Sequence, residues 1–106
     1  MEKNKYISIW KETLPNILAT IKEGRKNANL CMVKEDFIAA GNRKSYRFRL
    51  QTENGEVTNN IGGSAVARDL YDVLSANTSF KELAAGRRIV FKMGVEYKLS
   101  IEIQTL

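Results

Sequence analysis

Apolar side chains recur with a helical period over the first residues. On a 100° wheel Tyr6, Ile7, Trp10, Leu14, Ile17, Leu18 and Ile21 fall in one arc of about 120°. That predicts an amphipathic helix over Lys5–Glu23. Pro15 falls on its polar arc, where the carbonyl it frees faces water, so the helix either bends or divides at Leu14–Pro15. Gly24 supplies the stop. Beyond it, Ala28–Lys34 reads as a short strand and Glu35–Ala40 as a helical turn ended by Gly41–Asn42.

From Tyr46 to Thr52 the period changes to two. Tyr46, Phe48 and Leu50 share one face, and Arg47, Arg49 and Gln51 the other. Asn54–Gly55 is the favoured pair for a type I′ hairpin turn. That turn sets Thr52 opposite Val57, Leu50 opposite Asn59 and Phe48 opposite Ile61. Gly62-Gly63-Ser64 then leads into a helix from Ala65 to about Ala76, with Ser64 as its N-cap. Val66, Ala67, Leu70, Tyr71, Val73 and Leu74 form its buried arc. Ser79 and Glu82 have capping-box spacing for a further short helix, which Gly86 closes. A last alternating stretch, Ile89 to Ile103, folds back as a hairpin. A three-residue loop, Gly94-Val95-Glu96, sets Met93 opposite Tyr97, Phe91 opposite Leu99 and Ile89 opposite Ile101.

The pattern thus predicts a single α+β domain over residues 1–106. Its sheet is antiparallel, of four or five strands in two hairpins. The N-terminal amphipathic helix and two further helices pack on one face. Should the N-terminal helix instead bury its arc against a second copy, the protein is a homodimer.

Composition narrows the function classes. Hydrophobic residues at 43% and charged residues at 27% match an ordinary folded domain, not a disordered chain. No apolar run is long enough to span a membrane, and no signal-peptide pattern opens the chain. The lone Cys31 leaves no internal disulfide and suits a reducing compartment, so a cytoplasmic protein is expected. Histidine is absent, which excludes Ser-His-Asp and Cys-His nucleophiles and any His-ligated metal. No cofactor and no metal site are expected. Seventeen Lys and Arg against twelve Asp and Glu give a net charge of +5, which suits an acidic partner.

The strongest candidate site is the outward sheet face. Arg47, Arg49, Lys92 and Lys98 fall on it, with Arg43 and Lys44 just before the strand. The expected register puts Arg88 opposite Glu102 and Lys92 opposite Lys98. The lysine pair is unfavourable until an anion sits between the two. The same residues also suit a plain solvated face that discourages edge-to-edge aggregation. Tyr46, Phe48, Phe91 and Tyr97 all alternate inward, so the face has no platform for stacking bases. Gly62, Gly63 and Ser64 form a second candidate, an anion site at a helix N-terminus. The carboxylates are scattered. Asp69 and Asp72 sit on the polar arc of their helix, Glu35–Asp36 has no third ligand, and Glu96-Tyr97-Lys98 is half of a nuclease motif.

The expected function is a small non-enzymatic binding domain. Its cationic sheet face engages a negatively charged partner, with nucleic acid backbone preferred. The alternative is a protein–protein interaction module: an inhibitor, an adaptor or a dimeric structural subunit. A metal-dependent nuclease is the remote third.

Overall fold

The computed structural model describes residues 4–24, 33–40, 47–52 and 55–106. Among the described residues the elements run α1 (Ile7–Glu23), α2 (Lys34–Ala40), β1 (Arg49–Thr52), β2 (Gly55–Asn60), α3 (Ser64–Ser75), α4 (Thr78–Ala84), β3 (Arg87–Met93) and β4 (Leu99–Thr105). The strands form one sheet in the order β1-β2-β3-β4. The α+β class is as expected, but the antiparallel sheet is not. Both hairpins are antiparallel, whereas β2 and β3 run parallel. Parallel neighbours need a long crossover, and here α3 and α4 supply it by carrying the chain back before β3 begins. Among the described residues the α-helices beyond α1 number three rather than two, because Lys34–Ala40 forms a seven-residue helix of its own. Of the strand expected at Ala28–Lys34, residues 28–32 lie outside the described residues, and Lys34 starts α2. No helix among the described residues is long and apolar enough to cross a membrane.

α1 turns Trp10, Ile17 and Ile21 fully inward and runs through the exposed Pro15 as one element. Tyr6 is buried with them, while Ile7, Leu14 and Leu18 of the same arc are half-buried against that core. Thr13 and Thr20 are buried on the same side. Their hydroxyls donate back to the carbonyls of Ile9 and Asn16, at 2.8 and 2.7 Å, which makes their burial tolerable. Three long-range bonds fix the helix in place. The Tyr6 backbone N–H donates to Asp69 Oδ2 at 2.9 Å, the Trp10 indole donates to the Val66 carbonyl at 2.9 Å, and Arg87 donates to the Ile21 carbonyl at 3.1 Å. A carboxylate thus sits at the helix's positive end and a guanidinium at its negative end. Asp69 is completely buried, not solvated as its place on the polar arc of α3 suggests.

The two hairpin registers each differ from the expected ones by two residues. Leu50 pairs with Val57 and Thr52 with Gly55. Gly55 is therefore a strand residue, not half of a turn, and Asn54 lies outside the described residues. The physical reason is steric. A Cβ on Gly55 would collide with the Ala84 carbonyl and the Thr52 hydroxyl, so only glycine lets α4 approach the strand. In the second hairpin Phe91 pairs with Ile101 and Met93 with Leu99. Tyr97 does not extend the strand. Glu96 and Tyr97 both adopt φ of 57°, and the Gly94 N–H donates to the Lys98 carbonyl at 2.9 Å, which closes a longer loop. Tyr97 instead stacks on Phe37 at 5.8 Å, and Phe37 meets Trp10 edge-on at 6.4 Å. A slip of two residues keeps every side chain on its face. Leu50, Val57, Ile89, Phe91, Leu99 and Ile101 are accordingly all buried, in one cluster with the helix residues.

The caps also differ. Gly63, at φ 88°, is the N-cap of α3, and Ser64 is its exposed first residue without a capping bond. Asn77 caps α4 by accepting the Phe80 N–H at 2.7 Å, so Ser79 and Glu82 form no capping box. Gly86, at φ 76°, ends that region as expected.

Candidate anion-binding face

The outward side of the sheet follows from alternation in the observed registers. β1 contributes Arg49 and Gln51, β2 Glu56, Thr58 and Asn60, β3 Arg88, Val90 and Lys92, and β4 Ser100, Glu102 and Gln104. Their neighbours one step along each strand turn to the core, so these side chains stand on the opposite face, where Glu56, Thr58, Val90, Ser100 and Glu102 are half-buried. No aromatic ring lies among them.

Across one row, Arg49 sits beside Thr58, Thr58 beside Val90, and Val90 beside Glu102. In the next row, Asn60 sits beside Lys92 and Lys92 beside Ser100. Among the described residues the pairing of β1 with β2 reaches Arg49–Thr58, while β2 continues along β3 as far as Asn60. At that corner a depression of about 510 Å³ opens, lined by Arg47, Phe48, Arg49, Thr58, Asn59, Asn60, Val90 and Lys92. It brings together three of the expected cationic residues, Arg47, Arg49 and Lys92, with the hydroxyl of Thr58 and the amide of Asn60 beside them. Phe48 is buried and edge-on to Tyr71 at 5.2 Å, so its ring is engaged in the core. Asn59 is also buried; its side-chain oxygen accepts the Ile61 N–H at 3.0 Å, and its Nδ2 has no partner among the described residues.

The face is not a bare field of positive charge. Glu56 lies 3.7 Å from Arg49 and 3.4 Å from Arg88, and Lys92 pairs with Glu102. Arg88 also donates to Gln104 at 3.4 Å. Among the described residues Arg47, exposed at the margin, has no acidic partner. Each of the three cations that the strands carry on this face, Arg49, Arg88 and Lys92, is therefore already matched to a carboxylate.

The other candidates fall elsewhere. Lys92 stands beside Ser100, not Lys98, so the expected lysine–lysine pair does not form. Lys98 lies in the β3–β4 loop, 3.9 Å from Glu96. Arg43 and Lys44 lie outside the described residues. Gly62, Gly63 and Ser64 stand at the start of α3 and do not line the depression. No group of three metal-ligating side chains occurs among the described residues. What the sequence reading misses is Glu56. Counting outward positions back from Thr58 reaches it at once, but a turn at Asn54–Gly55 makes it a turn-flanking residue facing Glu53. Comparison with protein-family models, curated proteins and solved structures finds no match.

Proposed function

We propose that the protein is a non-enzymatic binding domain that engages a negatively charged partner through the open face of its sheet, with nucleic acid backbone as the preferred target. The observation that carries this reading is the depression where Arg47, Arg49 and Lys92 converge with Thr58 and Asn60. Guanidinium and ammonium groups beside hydroxyl and amide groups suit phosphate oxygens. The absence of aromatic rings from the strand-borne face argues for recognition of the backbone rather than of bases. A chain with one cysteine suits a reducing compartment, so the cytoplasm remains the proposed location.

The test is a salt titration of binding to random duplex DNA. Log affinity falls linearly with log salt, at about −0.9 per phosphate neutralised. Arg47→Gln with Arg49→Gln weakens binding to all sequences alike and flattens that slope by up to ~0.9 for each phosphate left without its cation. Arg68→Gln, on α3, removes the same charge from the helical side and changes little. Absence of binding to duplex and single strands at low salt overturns the reading. The protein-interaction alternative then takes the lead. It draws on the exposed Val33 and Ile38 at α2, which are 48% and 50% accessible.

A further inference from the structure

The three strand-borne cations of the open face are occupied before any partner arrives. Glu56 serves both Arg49 and Arg88, and Glu102 serves Lys92. The cations of these pairs are exposed, with the side chains of Arg49, Arg88 and Lys92 71%, 47% and 49% accessible, and the carboxylates of Glu56 and Glu102 are half-buried at 26% and 35%. Pairs whose cations reach freely into water are weak, and the cations can exchange one anion for another. A phosphate that approaches Arg49 or Lys92 meets a carboxylate already there, and both anions cannot share the cation at full strength.

We propose that Glu56 and Glu102 are built-in competitors for the anionic partner, displaced from Arg49, Arg88 and Lys92 when it binds. This rests on the reading of the face as an anion-binding surface. It adds two residues that set affinity by opposing it, and it defines the partner further. An isolated carboxylate offers these cations nothing they do not already have. Duplex nucleic acid offers a closely spaced row of phosphates and the release of its condensed counterions. The face therefore answers to a dense polyanion and holds it reversibly.

The alternative role for the two acids has the opposite sign. If Glu56 and Glu102 position the cations for the partner, removing them disorders the cations and weakens binding. The experiment measures affinity of the full chain for a short random-sequence DNA duplex across a salt series. Wild type is compared with Glu56→Gln, Glu102→Gln and the double variant. Glu12→Gln serves as the control, since Glu12 is exposed on α1 and its loss changes net charge by the same amount. The expected result is tightening of about 1.5- to fivefold for each face carboxylate removed, beyond any gain in the control. Salt dependence should also steepen as freed cations reach phosphates. Equal gains in Glu12→Gln, or weaker binding in the face variants, overturn the proposal while wild-type binding still upholds the anion-binding face. Failure of both wild type and the double variant to bind overturns the two together. Binding by the double variant alone overturns the reading of the native face, which must itself bind.

Discussion

On the covered side of the sheet, each bond that holds α1 joins one donor to one acceptor. Asp69 accepts from Tyr6, the Trp10 indole donates to Val66, and Arg87 holds the last turn of α1. On the open side partners are shared and wet: Glu56 divides itself between Arg49 and Arg88, and Arg88 divides itself between Glu56 and Gln104. Burial makes the difference. A buried donor without its acceptor suffers the full desolvation penalty, whereas an exposed one turns to water. Substitutions on the covered side should therefore register as stability. Those on the open side should register as binding, with little change in stability.

Trp10→Ala tests the covered side most severely. The ring is fully buried, touches Phe37 and satisfies the Val66 carbonyl, so truncation leaves a cavity. Urea unfolding should show a loss of about 3–5 kcal/mol. Ile17→Ala, equally buried, should lose about 2–5 kcal/mol. A loss under 1 kcal/mol for either (the size typical of an exposed position) breaks the comparison.

Next come two positions whose roles are local. Asp69→Ala leaves the Tyr6 N–H buried without an acceptor and should lower stability by about 1–3 kcal/mol. Asp69→Asn keeps an acceptor oxygen and should lose less, which separates the hydrogen bond from the charge. Gly55→Ala forces a methyl against Ala84 and Thr52 and should also lose about 1–3 kcal/mol. A turn glycine with open space around it would tolerate alanine far better.

Gly55 also shows where sequence reasoning stops. Alternation predicts which face each residue takes, because one face must be apolar, and Leu50, Val57, Phe91 and Leu99 all obey. Alternation cannot distinguish registers that differ by two, since both keep the same residues inside. The choice falls to close approaches that a pattern does not encode: α4 against Gly55, and Tyr97 leaving its strand to stack on Phe37. That same ambiguity decided the site. Arg49 and Lys92 were legible as outward cations, but the pairing of Lys92 with Glu102, and the place of Glu56 between two arginines, depend on register. The parallel pairing of β2 with β3 was hidden for a related reason. Inward and outward positions read alike in either direction, and only the crossover through α3 and α4 fixes the sense. A helical wheel counts every carboxylate as polar surface and so places Asp69 in water; its partner lies 63 residues away.

Arg87→Met sharpens the boundary between the two sides. The stem survives and the hydrogen bond to Ile21 disappears, along with a positive charge near the C-terminal turn of α1. The expected loss is about 0.5–1.5 kcal/mol, seen as a lower urea midpoint at constant slope. No change would place Arg87 with the exchangeable charges of the open face.

The smallest effect is the most telling for the open face. Because Arg49 and Arg88 share one carboxylate, Arg49 at Oε1 and Arg88 at Oε2, the coupling of either with Glu56 should depend on the other. A double-mutant cycle of Arg49→Gln with Glu56→Gln should give a coupling of about 0.2–0.5 kcal/mol in wild-type background. In an Arg88→Gln background, Glu56 has only Arg49 to answer, and the coupling should rise toward the top of the exposed-pair range, about 1 kcal/mol. Salt should shrink both values, since the pair is exposed and screening is effective at these separations. Couplings that are equal in the two backgrounds would mean that Glu56 holds each arginine independently. The carboxylate would then be a fixed anchor like Asp69, and the contrast between the two faces would fail at the residue where it is drawn most finely.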